Sequence, residues 1–245
     1  MSELLTGDIG SDRIDYLIRD SLHLGVAYGR FDAHRLMRTI VLRRRPDGRW
    51  ELAIDDGGLH SVEGFLLARY FMFLEVYFHK TRRILDLHLA EFLGEILPDG
   101  RYPLALGEFL GWDDNRVLAE LRRRANERTA RRLASREHFR SCFETTDHPP
   151  AEEIERFDWL RSEATAKFGE PQLRFDEAAK APCRFQEPPT PVLWRGQFMP
   201  LTRRSPLVAN LKRIEKMRIY AQPEIRDDVE KYCQNFWESR ARRRR

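Results

Sequence analysis

Polar and charged side chains suited to chemistry recur at helical spacing within residues 11–25. At about 100° per residue they share one stripe, within an arc of about 100°. The members of this stripe are Asp12, Tyr16, Arg19, Asp20 and His23. Carboxylates can bind metal ions or accept protons from hydroxyls, and a guanidinium suits a phosphate. Spacing alone, however, favours a solvated helix face with Asp–Arg pairs.

A capped amphipathic helix must position these groups. Ser11 is a suitable N-cap residue, and Gly25 can adopt the left-handed conformation that ends a helix. The opposite stripe is apolar and is predicted to pack; it consists of Ile14, Leu17, Ile18 and Leu24.

A second segment, residues 59–97, is apolar and ends at Pro98-Asp99-Gly100. It predicts one bent helix or two helices joined end to end. Four residues fall on one face within about 80°, namely Arg69, Phe73, Tyr77 and Lys80. Packing is the expected role of the aromatic residues. The buried cations need an anion, and either a phosphate chain or Glu75 or Glu63 would serve.

Both segments resemble one known family. The order Asp-x-x-Asp-Tyr-x-x-Arg-Asp, followed by His-x-Gly, is similar to the last metal-ligand segment of the HD-domain dNTP triphosphohydrolases. Residues 68–80, ARYFMFLEVYFHK, resemble the later substrate-side helix of that family. Gly25, Phe31-Asp32 and Arg35 are also in register. The resemblance covers about residues 8–97 well and the remainder loosely.

The resemblance implies a fold and a reaction. In this family a metal ion held by His, His-Asp and Asp ligands activates attack at the α-phosphorus of a dNTP, which releases deoxynucleoside and triphosphate. Asp12 would be the metal ligand, and Arg13 would contact phosphate. Tyr16 and Asp20 would bind the deoxyribose, with Asp20 accepting from the 3′-hydroxyl.

The later segment and the region before the hairpin would complete the site. Tyr77 would close the space in which a 2′-hydroxyl would lie, and Arg69 would hold the distal phosphates. Arg35 is a candidate contact for an effector phosphate. All of these roles are implied by the resemblance.

A complete metal site is not expected in this chain, because the sequence contains no His-Asp dipeptide. We therefore expect the substrate-reading C-terminal part of such an enzyme, incomplete for catalysis alone, translated separately or left by a frameshift or a misplaced start. A divalent metal ion (Mg, Mn, Fe or Zn) would bind only if another chain supplied the missing His and His-Asp ligands. The alternative is a non-catalytic nucleotide-binding or regulatory module that pairs with an HD-bearing partner.

Composition limits the partners. The chain has 43 Lys and Arg against 39 Asp and Glu, a net charge of +4, and the five arginines at position 240 and at 242–245 exceed that excess. The near-neutral body argues against specific nucleic-acid binding, and non-specific binding by the tail is a further alternative. The expected partners are a deoxynucleoside triphosphate, a separate HD-bearing subunit and, as in the intact family, further copies of the chain.

Cysteine usage and hydropathy indicate the compartment. Cys142, Cys183 and Cys233 show no C-x-x-C spacing, as expected in a reducing environment. No run of 18 apolar residues or signal peptide is evident in the sequence. These features predict a cytoplasmic protein without a membrane segment.

The fold class predicted is α+β: mainly helical, with a β-hairpin at residues 40–55 and a small C-terminal α+β region. Residues 1–110 would form the C-terminal helices of an HD-type core, and residues 111–239 an appended region. Residues 240–245 would form a disordered Arg-rich tail.

Overall fold

The computed structural model describes the backbone of residues 2–181 and 190–242, and the side chains of residues 4–181 and 190–239. The helices are α1 (Ser2–Thr6), α2 (Ser11–Leu24), α3 (Ala33–Arg38), α4 (Leu59–Met72), α5 (Lys80–Ile96), α6 (Leu106–Leu110), α7 (Asp114–Arg123), α8 (Arg128–Ala134), α9 (Ala151–Phe168), α10 (Leu201–Arg204), α11 (Pro206–Asn210) and α12 (Arg226–Arg242). The strands are β1 (Ile40–Arg44), β2 (Trp50–Asp55), β3 (Arg140–Glu144), β4 (Leu173–Lys180), β5 (Pro191–Trp194), β6 (Gln197–Pro200) and β7 (Ile214–Ala221). Helices with two small sheets confirm the predicted α+β class.

The chain forms two compact units. Unit 1 comprises Met1–Tyr77 and Ala179–Ile214, and unit 2 comprises Phe78–Ala178 and Glu215–Arg245. This division differs from the boundary near residue 110 that composition suggested, because strands from late in the chain complete the sheet of unit 1. The last helix includes residues 240–242, for which disorder was predicted, and residues 243–245 and Cys183 lie outside the described part.

The sheet of unit 1 begins with the predicted hairpin. β1 pairs antiparallel with β2, and the turn between them contains Gly48 at φ 82°. β2 then pairs parallel with β5, which pairs antiparallel with β6, so the strand order is β1-β2-β5-β6. A parallel partner this distant in sequence has no local turn pattern that could predict it.

Helix α2 is the predicted amphipathic helix, with a different division of its apolar residues. Ile14 and Leu17 are buried, whereas Ile18 and Leu24 are exposed, which corrects the predicted packing stripe. Gly29 packs against the backbone of α2 near the buried Leu17. A Cβ on Gly29 would lie 2.4 Å from the carbonyl oxygen of Leu17. A glycine in the loop after the helix thus lets the chain approach the buried side.

The ends of α2 were predicted in part. Gly25 has the expected left-handed conformation, at φ 68°, and its N–H bonds to carbonyls of the last turn. Ser11 is the first helical residue, and Gly10 occupies the N-cap position without a side-chain hydrogen bond. The neighbouring α3 has a side-chain cap, because Asp32 accepts from the N–H of Arg35 at 2.8 Å.

The long apolar segment forms two helices, one of the two predicted arrangements. A π-helical turn, Phe73–Tyr77, follows α4, and α5 starts at Lys80 in unit 2. The single helical register that placed Lys80 in line with Arg69 therefore ends at Tyr77. At the start of α4 the backbone is tightly packed, because a Cβ on Gly58 would lie 2.1 Å from Oγ1 of Thr39.

Unit 2 packs helices around a three-stranded sheet of order β3-β7-β4. The central residues of its core are fully buried and come from α9, β7 and α12; they include Phe157, Leu160, Ile219, Val229 and Cys233. No helix in the described ranges is both long and apolar enough to cross a membrane.

Two groups of buried charges hold unit 2 together. Asp176, 2% exposed, lies between Arg83 at 2.5 Å and Arg218 at 3.5 Å. Glu91 contacts His88, Arg132 and Arg174 through its two carboxylate oxygens. We call this second group the Glu91 cluster. Paired charges of this kind tolerate burial, whereas loss of one member leaves an uncompensated charge.

Candidate functional site

The polar stripe of α2 places three predicted site residues on one helix face. Asp12, Tyr16 and Asp20 follow one another at intervals of four residues, so each lies about one turn beyond the last. Asp12 is exposed, whereas Tyr16 and Asp20 are partly buried. The helix therefore presents one carboxylate to solvent and brings a phenol and a second carboxylate against the rest of unit 1.

Two pairs of side chains connect α2 to α4 and to the π-helical turn that follows it. Nε of Arg69 donates to the hydroxyl of Tyr16 at 3.4 Å, and the hydroxyl of Tyr77 donates to Oδ2 of Asp20 at 2.6 Å. The rings of Tyr16 and Tyr77 meet edge to face with centroids 6.2 Å apart. Four predicted substrate-binding residues thus form one contiguous group.

Phe73 completes this group from the π-helical turn. The guanidinium of Arg69 lies 5.4 Å from the centroid of the Phe73 ring, and that ring lies 4.9 Å from the ring of Tyr77. We call Tyr16, Asp20, Arg69, Phe73 and Tyr77 the tyrosine cluster. π-Helical turns are frequent at functional sites because they change the direction of the side chains that follow.

Lys180 is a neighbour that sequence reasoning missed. Its Nζ lies 5.4 Å from the centroid of the Phe73 ring, at the end of β4. Arg69 and Lys180 both lie near this ring, so the tyrosine cluster and Lys180 together supply two cations and one carboxylate. Lys180 is more than a hundred residues from the rest of the cluster in sequence, and no motif marks it.

Arg69 is almost fully buried, with 3% of its surface exposed. Its contacts with Tyr16 and Phe73 combine a hydrogen bond with a cation–π interaction. Glu63, one of the anions considered for it, instead bonds to Ser205 at 2.5 Å and to His60 at 2.8 Å. The guanidinium of Arg69 is therefore buried next to Tyr16 and Phe73.

Arg13, expected to contact phosphate, is paired with Asp8. The two side chains are 2.5 Å apart and both are largely buried. Asp12 accepts the N–H of Arg13 at 2.7 Å and lies one turn before Tyr16. Asp12 and the tyrosine cluster consequently share one side of α2, while Arg13 connects the helix to the preceding loop.

The residues present do not fit a metal site. Across the described ranges, no group of three or more His, Cys, Asp and Glu side chains could hold a metal ion. A divalent ion normally requires at least three protein ligands, and Asp12 would supply one. A metal at this position needs further ligands.

Arg35, the candidate effector contact, has a structural contact. Its Nε and Nη2 donate to the carbonyl of Gly57 at 3.2 and 2.8 Å. The guanidinium thereby joins α3 to the turn that precedes α4. The side chain is nonetheless exposed, so one edge of it faces solvent.

A basic cavity in unit 2 was not predicted. It has a volume of about 280 Å³ and is lined by residues from the start of α5, from β3 and β7 and from α12. Its basic and hydroxyl-bearing side chains are Lys80, Thr81, Arg140, Ser141, Tyr220 and Arg226. Such a lining suits an anion, and the first N–H groups of α5 add to the positive potential.

His138 orients one of these cations. Its Nδ1 lies 2.8 Å from the carbonyl of Arg136 and its Nε2 lies 3.1 Å from Nη1 of Arg140. Because the guanidinium can only donate, Nε2 accepts and the proton resides on Nδ1. Burial, with the nearby Arg140 charge, lowers the pKa of His138 below its usual value. The neutral imidazole therefore serves as a hydrogen-bond acceptor that positions Arg140.

Comparisons with known proteins connect this chain to one family. The family model described as "HD associated region" matches residues 31–244. The uncharacterized protein YwfO of Bacillus subtilis is 28% identical over 260 residues, covering 94% of this chain and 59% of YwfO. The uncharacterized protein MJ1154 of Methanocaldococcus jannaschii is 40% identical over 84 residues, covering 34% of this chain and 18% of MJ1154.

Solved structures share the fold. A hypothetical protein from Aquifex aeolicus is 35% identical, with a TM-score of 0.81, and the match covers 94% of this chain and 59% of that one. A phosphohydrolase from Bacteroides thetaiotaomicron is 20% identical, with a TM-score of 0.64, covering 90% of this chain and 63% of that one. The chain thus spans less than two thirds of the length of these relatives. The family match over most of its length shows that the chain belongs to the HD-associated region family.

Proposed function

We propose that this chain is the substrate-reading part of an HD-type, metal-dependent dNTP triphosphohydrolase. The observation that carries the proposal is the tyrosine cluster, in which side chains from α2, α4 and the π-helical turn contact one another. Membership of the HD-associated family supports the general class of reaction. The choice of a deoxynucleotide as substrate rests on the side chains of the cluster.

The cluster has groups that suit a deoxyribose. One oxygen of Asp20 accepts from Tyr77, and among the described residues its Oδ1 has no hydrogen-bond partner. That oxygen would accept the 3′-hydroxyl of the sugar. The ring of Tyr77, held by Asp20 and packed against Phe73, would fill the space of a 2′-hydroxyl. A rigid aromatic ring excludes a hydroxyl by steric clash and by leaving it without a partner.

Positive charges around the cluster suit a triphosphate. Arg69 would attract the distal phosphates, and Arg13 would contact a phosphate near Asp12. Arg13 now pairs with Asp8, so a phosphate would compete with that carboxylate for the guanidinium. Such an exchange of one anion for another keeps the buried cation compensated.

Metal ligands beyond Asp12 would come from an HD-bearing polypeptide, either a separate subunit or another part of a longer protein. The divalent ion, Mg, Mn, Fe or Zn, would neutralise phosphate oxygens and lower the pKa of bound water. Ile18 and Leu22 on α2 are exposed and would be available for contact with that polypeptide.

Titration calorimetry with chelator present tests substrate reading separately from hydrolysis. We expect dGTP to bind, GTP to bind at least tenfold more weakly, and Asp20→Asn and Tyr77→Phe to weaken dGTP binding by about tenfold. Asp15→Asn is the matched control, because Asp15 lies on the same helix and pairs with exposed Arg19. Equal binding of dGTP by all variants would contradict the assignment of the sugar site.

A hydrolysis assay tests whether the metal ligands other than Asp12 come from an HD-bearing polypeptide. The chain alone, supplied with Mn²⁺, should not release triphosphate from dGTP, whereas addition of an HD-bearing subunit should restore release. Release by the chain alone would overturn the assignment of the remaining ligands to a partner.

The basic cavity of unit 2 supports a second candidate function, that of a non-catalytic regulatory module which binds a nucleotide or another polyanion. Arg140, positioned by His138, would contact the anion. Under this alternative, Arg140→Gln abolishes triphosphate binding while Asp20→Asn leaves it unchanged. Under the first proposal Asp20→Asn weakens dGTP binding by about tenfold, whereas Arg140→Gln leaves it unchanged.

A further inference from the structure

The charged side chains that line the basic cavity of unit 2 are all positive. The cavity has a volume of about 280 Å³, and within the described part of the chain no carboxylate contributes to its wall. Three cations do contribute, namely Lys80, Arg140 and Arg226. Like charges that are held close together repel one another unless an anion compensates them. The lining therefore presents a positive surface that suits an anionic ligand.

The three cations differ in the partners that they already have. Nη1 of Arg226 pairs with Asp227 at 2.8 Å and its Nη2 pairs with Glu230 at 2.8 Å, so the charge of Arg226 is compensated. Among the residues that the structure describes, no carboxylate pairs with Lys80 or with Arg140. Two positive charges of the lining thus remain for a ligand.

Two hydroxyl groups add further donors to the cavity. Thr81 and Ser141 line it, and in the described ranges neither side-chain hydroxyl has a hydrogen-bond partner. The hydroxyl of Tyr220 donates instead to the carbonyl of Lys80 at 3.0 Å, which fixes the start of α5. Cations and hydroxyls that line one space are the donors that the oxygens of a phosphate group accept.

The interior of unit 2 holds one wall of the cavity in place. The N–H of Phe139 donates to Nε2 of the buried His88 at 3.2 Å. Beside it, Nε2 of His138 accepts from Nη1 of Arg140 at 3.1 Å. Donors that are fixed before a ligand arrives lose less conformational entropy when it binds. Arg140 is therefore positioned for an anion before the anion enters.

The volume and charge of the cavity limit the ligand. Pockets that enclose drug-sized ligands measure about 300–1,000 Å³, and this cavity lies just below that range. A phosphomonoester carries a charge of about −1.5 to −2 at pH 7, which matches the two uncompensated cations, Lys80 and Arg140. A triphosphate brings more negative charge than these two cations compensate. One phosphate group therefore suits the cavity better than a nucleoside triphosphate.

We propose that the basic cavity of unit 2 binds a single phosphate group, either as inorganic phosphate or as the phosphate of a small phosphomonoester. The inference rests on the second candidate function, whose ligand it narrows, and not on the tyrosine cluster. Lys80 and Arg140 compensate the charge of the phosphate. The hydroxyls of Thr81 and Ser141 donate to its oxygens.

Titration calorimetry of the full chain with chelator present tests the proposal, with inorganic phosphate and ribose 5-phosphate as probes. We expect phosphate to bind, and we expect Lys80→Gln and Arg140→Gln each to weaken binding by about tenfold or more, because each removes a charge-assisted hydrogen bond. Arg122→Gln is the matched control, since it removes the same charge from an exposed position on α7 outside the cavity. It should leave the dissociation constant unchanged. Tighter binding of ribose 5-phosphate identifies a phosphomonoester as the ligand, and weaker binding identifies free phosphate.

Hydrogen–deuterium exchange of the unaltered chain gives a second measurement that no folding defect can affect. Amides of residues 80–84 and 139–141 should exchange more slowly when phosphate is added.

Two results would overturn the inference and leave a proposed function standing. The first is a chain whose dGTP binding depends on Asp20 but which binds neither phosphate probe. The second is dGTP binding that depends on Arg140 and is tighter than phosphate binding, in which case the second candidate function stands without the narrower ligand. Equal weakening of phosphate binding by Arg122→Gln and Arg140→Gln would also overturn the inference, because the binding would then lie outside the cavity.

Discussion

Replacing Glu91 by Gln tests the charged interior of unit 2 without changing its shape. One oxygen of Glu91 accepts from Arg174, and the other lies 2.7 Å from Nη1 of Arg132 and 3.2 Å from Nδ1 of His88. His88 is fully buried and accepts the N–H of Phe139 at Nε2, so its proton is on Nδ1 and points to Glu91. An amide retains the size of the side chain but removes the charge that these donors need.

The expected magnitude follows from the pKa of Glu91. Burial would raise this pKa, but hydrogen bonds from His88 and Arg174 outweigh burial and lower it from 4.5 to about 2. That difference corresponds to about 3 kcal/mol of unfolding free energy. Because 26% of the side chain is exposed, solvent screening reduces the value to about 2 kcal/mol.

Loss of the carboxylate also leaves its cations unpaired. Burial, together with the charges of Arg174 and Arg128, already lowers the pKa of Arg132, and Glu91 opposes this effect. In Glu91→Gln the guanidiniums repel one another without compensation. We therefore expect a loss of about 2–3 kcal/mol at pH 7.

The pH dependence has a definite sign. A carboxyl group whose pKa is lower in the folded state stabilises the fold above its unfolded pKa, near 4.5, and loses that contribution as the pH falls toward 2. The stability difference between the original chain and Glu91→Gln should therefore be constant above about pH 5 and shrink below about pH 4.5.

Urea unfolding followed by circular dichroism at several pH values measures both effects. Glu95→Gln is the matched control, because Glu95 is one turn away on α5, is exposed and accepts one hydrogen bond from Thr129. It should lose no more than about 0.5 kcal/mol. Equal losses for the two variants, or a difference for Glu91→Gln that persists unchanged to pH 3, would refute the reasoning.

Three further predictions concern two glycines of α4 and its start, a buried carboxylate and two thiols. Gly58→Ala should lower the melting temperature through an unavoidable clash, at a cost of about 2 kcal/mol or more, whereas Gly64→Ala, in an open part of α4, should stabilise the helix by up to about 1 kcal/mol in thermal unfolding. Asp176→Asn should cost about 3 kcal/mol in urea unfolding, because two arginines lose their shared buried carboxylate. Burial raises the pKa of Cys142 and of Cys233 to about 12, so peptide mapping after treatment with a thiol reagent at pH 8 should find neither modified before unfolding.

Local sequence patterns predicted the features that depend on local physics. The left-handed residue Gly25 and the hairpin at residues 40–55 were both predicted, because φ preferences and turn propensities act within a few residues. The tyrosine cluster was predicted only in part from local sequence. Helical spacing placed its members on the faces of two helices, and the family resemblance supplied the expectation that those faces meet.

Features that depend on distant contacts could not be predicted in this way. Composition suggested a boundary near residue 110, but the parallel pairing of β2 with β5 returns residues 179–214 to unit 1. The contact of Arg35 with the carbonyl of Gly57 was likewise not predicted, because the sequence does not show which oxygen of the chain a guanidinium will contact. The phosphate contacts of Arg13 and Arg35 stay predictions.

The sequence by itself determined helix α2, the helical character of residues 59–97, the hairpin, the α+β class and the residues of α2 that carry polar chemistry. These follow from periodicity, capping and turn propensities, which involve neighbours along the chain. Only the tertiary structure decided which apolar residues of α2 are buried. It also decided that Arg69 donates to the hydroxyl of Tyr16 and that Lys180 lies near the ring of Phe73. Packing brings together residues from distant parts of the chain, and the free energy of those contacts has no counterpart in local spacing.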